Sequence, residues 1–180
     1  MINYTPTPQL QFEFEALRPE ALQLDSAVRS FHLVDVENLL GGTSFTEDDV
    51  AVTAAAYHVV AGVAASDLVV VSSSHHTALA TWFGWENARR VVRSGPDGAD
   101  LALLNILETE NVAVRFDRVV IASGDGIFAR PAAQLQAQGV VVTIVSRPDS
   151  LSRELAFAVR DVRYLDPVPP SRPAVALRAA

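Results

Sequence analysis

The sequence predicts an α/β protein, a three-layer α/β/α sandwich around a mainly parallel sheet. Three observations carry that prediction. From residue 31 onward, short β-branched runs alternate with longer Ala- or Leu-rich stretches. Val69-Val70-Val71, Val119-Val120-Ile121 and Val140-Val141-Val142 are apolar at every position, as strands covered on both faces must be. The stretches between strands are long enough to carry the chain back across the sheet and start the next strand in the same direction.

Strands are expected at 31–35, 68–72, 89–93, 118–122 and 140–145, with a weaker one at 162–164. Helices are expected between them at 47–65, 76–86, 98–109, 126–138 and 150–160. Residues 1–30 contain Pro6, Pro8 and Pro19 and no strand pattern, so they read as an N-terminal arm with one short helix at 19–28. Residues 31–165 form the domain. Residues 166–180 are a Pro-rich C-terminal tail holding Pro167, Pro169, Pro170 and Pro173.

Composition narrows the function classes. Of 180 residues, 49% are apolar and 19% charged, enough to bury a core and too apolar for a disordered chain. A formal net charge of −7 excludes a generally basic surface, so any nucleic-acid contact must be local. With no cysteine, disulfide scaffolds, Cys-based zinc sites and thiol nucleophiles are excluded. The opening carries Glu13, Glu15 and Glu20 without an apolar run and does not read as a secretory signal. The most apolar stretch, 50–65, is too short to span a bilayer, which fits a soluble, cytoplasmic protein with no membrane partner. That helix reads either as internal or as the face of a homodimer.

In an open parallel sheet, ligands bind beyond the carboxyl ends of the strands. Three acids fall there. The first strand ends in Leu33-Val34-Asp35-Val36-Glu37-Asn38; the third runs into Ser94-Gly95-Pro96-Asp97-Gly98-Ala99-Asp100-Leu101; the fourth ends in Ile121-Ala122-Ser123-Gly124-Asp125-Gly126. Singly, each acid is explained by a turn, a helix dipole or a cap. Together, carboxylates within about 5 Å would repel by roughly 3 kcal/mol per pair at an effective dielectric near 20. They then need a raised pKa or a cation. Oxygen-only donors favour Mg²⁺ or Mn²⁺ over zinc, and such an ion suits phosphodiester hydrolysis.

These motifs resemble the NYN domain family, a branch of the PIN-like metal-dependent nucleases. Val34-Asp35-Val36-Glu37-Asn38 is similar to the family's opening Asp-x-x-Asn, Gly98-Ala99-Asp100-Leu101-Ala102-Leu103 to its middle acidic helix start, and Ser123-Gly124-Asp125-Gly126-Ile127-Phe128 to its Ser-Gly-Asp-x-Asp-Phe box. The likeness spans 31–165. It implies a PIN-like fold and a ribonuclease acting on RNA, taken as single-stranded, with Asp35, Asp100 and Asp125 as catalytic and metal-binding carboxylates. Asn38 would orient a ligand or substrate phosphate, and Ser123 joins it as a candidate substrate contact. Ile127 stands where the box usually has its second acid, and the Lys that often precedes the middle motif is missing. Three alternatives stay open: three acids suffice, Glu37 or Asp97 substitutes for the missing one, or the site is an impaired module that binds RNA or protein without cutting.

Other patterns compete. Gly124-Asp125-Gly126-Ile127-Phe128-Ala129 also fits a Gly-x-Gly-x-x-Ala dinucleotide fingerprint, but in the fourth βα unit and with a carboxylate beside the pyrophosphate. No P-loop or Gly-x-Ser-x-Gly elbow occurs. Arg89, Arg90 and Arg93 follow Trp82, Phe83 and Trp85, a mixture able to hold phosphates and stack bases. Arg147 and Arg153 are further phosphate candidates. In Ser72-Ser73-Ser74-His75-His76 the serines read as helix caps, with histidines free to meet substrate. His32 and His58 read as structural.

Overall fold

The computed structural model describes residues 28–167. The helix expected at 19–28 and the tail beyond Pro167 lie outside them.

Six strands run β1 (Ser30–Asp35), β2 (Leu68–Ser73), β3 (Arg89–Val92), β4 (Arg118–Ala122), β5 (Val141–Ser146) and β6 (Asp161–Tyr164). They form one sheet in the order β3-β2-β1-β4-β5-β6, with every neighbouring pair parallel. The order reverses between β1 and β4, which is the position where such sheets bind ligands.

The helices are α1 (Val36–Leu40), α2 (Glu47–Ala61), α3 (Ala78–Gly84), α4 (Gly98–Thr109), α5 (Val112–Arg115), α6 (Ala129–Ala137) and α7 (Arg153–Ala158). Successive side chains of a strand point to opposite faces, and the central strands split their residues accordingly between two cores. Phe31, Leu33, Val119 and Ile121 pack with Leu103, Phe116, Phe128 and Leu135 under α4 to α7. Val34, Val120 and Ala122 pack with Val36, Val50, Tyr57 and Trp85 under α1 to α3. The three-layer sandwich follows from that alternation.

Boundaries differ from expectation where a cap intervenes. The helix expected to run to 65 stops at Ala61 because Gly62 adopts φ +67, a left-handed cap that glycine accepts without steric cost. The helix expected at 126–138 opens with a 3-10 turn, Gly126–Phe128, before α6. Ser72 and Ser73 do not cap a helix: they are buried in β2, and α3 starts at Thr77 without a side-chain cap bond.

His32, fully buried in β1, has Nδ1 2.7 Å from the Tyr57 hydroxyl and Nε2 3.3 Å from Asp67, a structural role as expected. A neutral ring protonated on Nε2 satisfies both partners, and Asp67 also accepts from the Ser30 and Ala64 amides, clamping the start of β1 to the turn after α2. Helix α2 buries Val50 and Tyr57 and leaves Val52 and Val59 exposed, so it is internal on one face only. No helix among the described residues is long and apolar enough to cross a membrane.

Candidate active site

Asp35 ends β1 and caps α1, its Oδ1 accepting the Asn38 amide at 3.2 Å. Asp100 lies in the first turn of α4, which packs across β1, β2 and β3. Both are buried, at 4% and 8% exposure. Their carboxyls lie close enough that each acts directly on the other. Burial pushes Asp35 well above the usual carboxylate range, Asp100's charge pushes it further, and the Asn38 amide opposes both. Asp100 is raised as well, by burial first and then by repulsion from Asp125 and Asp97, while its bond to Asp35 pulls it back. Asp100 Oδ1 is buried with no hydrogen-bond partner. An orphaned buried oxygen costs about 1–3 kcal/mol.

Asp125 follows β4 and is half-buried. Its Oδ1 accepts the Ile127 amide at 2.9 Å, and its own amide donates to Ser123 Oγ at 3.2 Å. Its charge is felt at Asp100, yet among the described residues no three His, Asp or Glu side chains gather closely enough to ring a metal ion. The structure therefore joins two of the expected acids as a pair and leaves the third across the β1–β4 gap. Mg²⁺ is commonly held by one or two carboxylates, with water and phosphate oxygens completing its shell. The buried pair and the unpartnered Asp100 Oδ1 fit that requirement, with Asp35 and Asp100 as the residues that would hold the ion.

Asn38 and Ser123 serve the backbone. Asn38 Oδ1 accepts the Gly124 amide at 2.9 Å, tying the end of β1 to the loop after β4. Ser123 is fully buried and orients Asp125, so substrate does not reach it. Glu37 does not stand in for the missing acid: it accepts from the Ser74 amide at 2.9 Å and from the Thr77 hydroxyl. Burial raises its pKa, but those hydrogen bonds outweigh the burial and hold it low. Asp97 is exposed at φ +53, just outside α4. Ile127 packs against the core beneath α4 to α7, which explains an apolar residue there.

The structure does not bring Arg89 and Arg90 to the acids. Both start β3, at the strand's amino end, and both are engaged: Arg89 pairs with Glu110 at 2.7 Å and Arg90 donates to the Trp82 carbonyl at 2.8 Å. Glu110 caps the far end of α4, ten residues and about 15 Å from Asp100 at 1.5 Å per residue. Arg147 does reach the rim, over Gly41, where a side chain would collide with its guanidinium, and it holds Asp149 through two bonds of 2.9 and 2.7 Å. Trp85 is core, while Trp82 and Phe83 are exposed. His75 is on the rim, with Nδ1 2.6 Å from Ser94 Oγ. Sequence reasoning missed Glu37's clamp on the Ser74 to Thr77 loop; an acid in the first turn of a helix just after a strand is the only signal for it.

An all-parallel sheet in this order, with helices on both faces and buried acids beside its reversal, is a doubly wound α/β fold consistent with a PIN-like three-layer sandwich. The family model for the NYN domain matches residues 33–166, and the chain belongs to that family. A crystal structure of a protein of unknown function from Vibrio parahaemolyticus is similar, with a TM-score of 0.52 and 18% identity over 81% of this chain and 97% of that one. That likeness concerns the fold. No curated protein matches.

Proposed function

We propose that the protein is a metal-dependent ribonuclease that hydrolyses phosphodiester bonds in single-stranded RNA in the cytoplasm, using Asp35, Asp100 and Asp125 with Mg²⁺ or Mn²⁺. The observation that carries this reading is the buried Asp35–Asp100 pair at the sheet's reversal point, with one Asp100 oxygen left without a hydrogen-bond partner. A buried carboxyl pair is costly to keep for structure alone.

Asp35 and Asp100 would hold the divalent ion, which would supply charge neutralisation at a phosphoryl oxygen and a more acidic water. The chain's own groups do the rest. Asp35 and Asp100 present carboxylate oxygens toward the ion's place, the unpartnered Asp100 Oδ1 among them. Asp125, steadied by the Ile127 amide, is the carboxylate left to take a hydrogen bond from the attacking water. Asn38 and Ser123 hold the β1 and β4 loops in place.

A second reading, an RNA-binding module that no longer cuts, is favoured by Ile127, which packs partly buried against the core at the position where the family's box usually has an acid. Incubating single-stranded RNA with the protein in Mn²⁺ or in EDTA, beside Asp35→Asn and Asp125→Asn, separates the two. Cleavage that needs Mn²⁺ and disappears in both variants supports the nuclease. Cleavage indifferent to chelator and to both substitutions rejects the assigned chemistry, and binding without cleavage selects the second reading.

A further inference from the structure

An acidic site on a chain of net charge −7 repels the phosphates of its own substrate, so some local cations must offset it. Most arginines among the described residues cannot. Arg89 and Arg115 share Glu110, Arg90 is bound to the Trp82 carbonyl, and Arg147 is held by Asp149. Arg118 and Arg163 donate to carbonyls at the end of α2, and Arg29 lies over the Phe116 ring. The remaining four, Arg93, Arg130, Arg153 and Arg160, are exposed, and none of their guanidinium groups has a hydrogen bond, ion pair or ring contact among the described residues.

Arg160 immediately precedes β6, at the amino end of a parallel strand and so at the edge of the sheet opposite the acids. The other three lie on the carboxyl side. Arg93 directly follows β3, its amide bonded to the Ser73 carbonyl at 3.2 Å, and its backbone packs against Gly98, which opens the helix carrying Asp100. Arg130 is the second residue of α6 and lines a surface hollow with Leu104, Glu108 and Ile127, the last of them two positions beyond Asp125, and makes no ion pair with Glu108. Arg153 opens α7, next to Ser152, whose amide donates to the Gly124 carbonyl at 2.8 Å. Arg93 thus flanks the acid pair on one side, and Arg130 and Arg153 flank Asp125 on the other.

We propose that single-stranded RNA crosses the rim perpendicular to the strands, from β3 to β5, with phosphates held by Arg93 on one side of the acids and by Arg130 and Arg153 on the other. Four strand spacings make that span about 19 Å at ~4.8 Å each, a path of a few nucleotides centred on β1, which ends in Asp35, and passing over the β1–β4 gap. This rests on the proposed RNA substrate and adds where the strand lies and what holds it.

The test is fluorescence anisotropy of a labelled single-stranded RNA in EDTA, where binding is read without cleavage, over a series of salt concentrations. Each lost phosphate contact should lower the slope of log K against log salt by about 0.7. Arg93→Ala should weaken binding several-fold and flatten the slope by about that amount; the triple Ala variant should flatten it by about 2. The triple Lys variant, which keeps the charges, should retain the slope. Arg89→Ala and Arg160→Ala should bind as wild type does. The path is overturned if the triple Ala variant keeps the wild-type affinity and slope, if Arg89→Ala or Arg160→Ala costs as much as Arg93→Ala, or if the wild type fails to bind. RNA that binds with the expected slopes yet is not cut in Mn²⁺ supports the path and removes only the catalytic reading.

Discussion

Asp35→Asn should produce a protein that is more stable than wild type in the absence of divalent metal. In the native state burial, and then Asp100, oppose a charge on Asp35 and raise its pKa well above the usual carboxylate range. Two unit charges about 5 Å apart at an effective dielectric near 20 repel by roughly 3 kcal/mol, and burial adds the cost of taking the carboxylate's charge out of water. An amide removes both penalties. The cap on α1 survives, since Asn accepts the Asn38 amide as well as Asp does. A net gain of about 1.5 kcal/mol, or roughly 3–6 °C in Tm for a chain of this size, is expected by thermal unfolding in EDTA at pH 7.5. The pH dependence has a definite sign. A folded-state pKa above the unfolded one means the native protein binds more protons, so wild-type stability falls as pH rises from about 4 through the native value. The gap between variant and wild type should be closed at pH 4 and open above it. Saturating Mg²⁺ should reverse the order, adding about 2.7 kcal/mol to wild type at a hundred times Kd and little to the variant. A variant less stable than wild type in EDTA at pH 7.5 would refute the claim that this carboxyl pair is strained.

Urea unfolding checks three further expectations. Glu37→Ala strands the Ser74 amide and the Thr77 hydroxyl, so a loss of about 1–3 kcal/mol is expected; an unchanged midpoint would show that the clamp carries nothing. His32 has its pKa lowered by burial against the opposing pull of Asp67, so the unfolded state binds more protons and stability should decline as pH falls below about 6.5. His32→Asn should flatten that decline. Gly41→Ala forces a side chain into φ +80 and into the Arg147 guanidinium, for an expected cost of about 1–2 kcal/mol; a neutral result would mean the α1 turn gives way freely.

Much of this architecture can be read from valine placement. Runs such as Val119-Val120-Ile121 serve both cores at once, and the expected strand 118–122 coincides with β4 (Arg118–Ala122). Helix α1 escapes the same reading because it has only five residues, and its cap is Asp35, an acid that also belongs to the site. The acids' positions at strand ends are legible; their partition into a pair and a single is not, because it depends on α4 lying over β1 to β3. Arg89 and Arg90 show the opposite failure. Their neighbours Trp82 and Phe83 suggest a binding patch, but the polarity of β3 sends its first residues away from the rim and brings only the residues after Val92 toward it. Glu37 is ambiguous in sequence because its partners lie 37 and 40 residues away.

The bond from Gly124 to Asn38 gives the cleft a mechanical character. Asp35 and Asp100 ride on one half of the sheet and Asp125 on the other, so the site is a joint whose jaws meet at the β1–β4 seam, and this bond is a latch between them. Five parallel register pairs between β1 and β4 already fasten the two halves below the rim, and this one asparagine carries the fastening up into the loops that bear the acids.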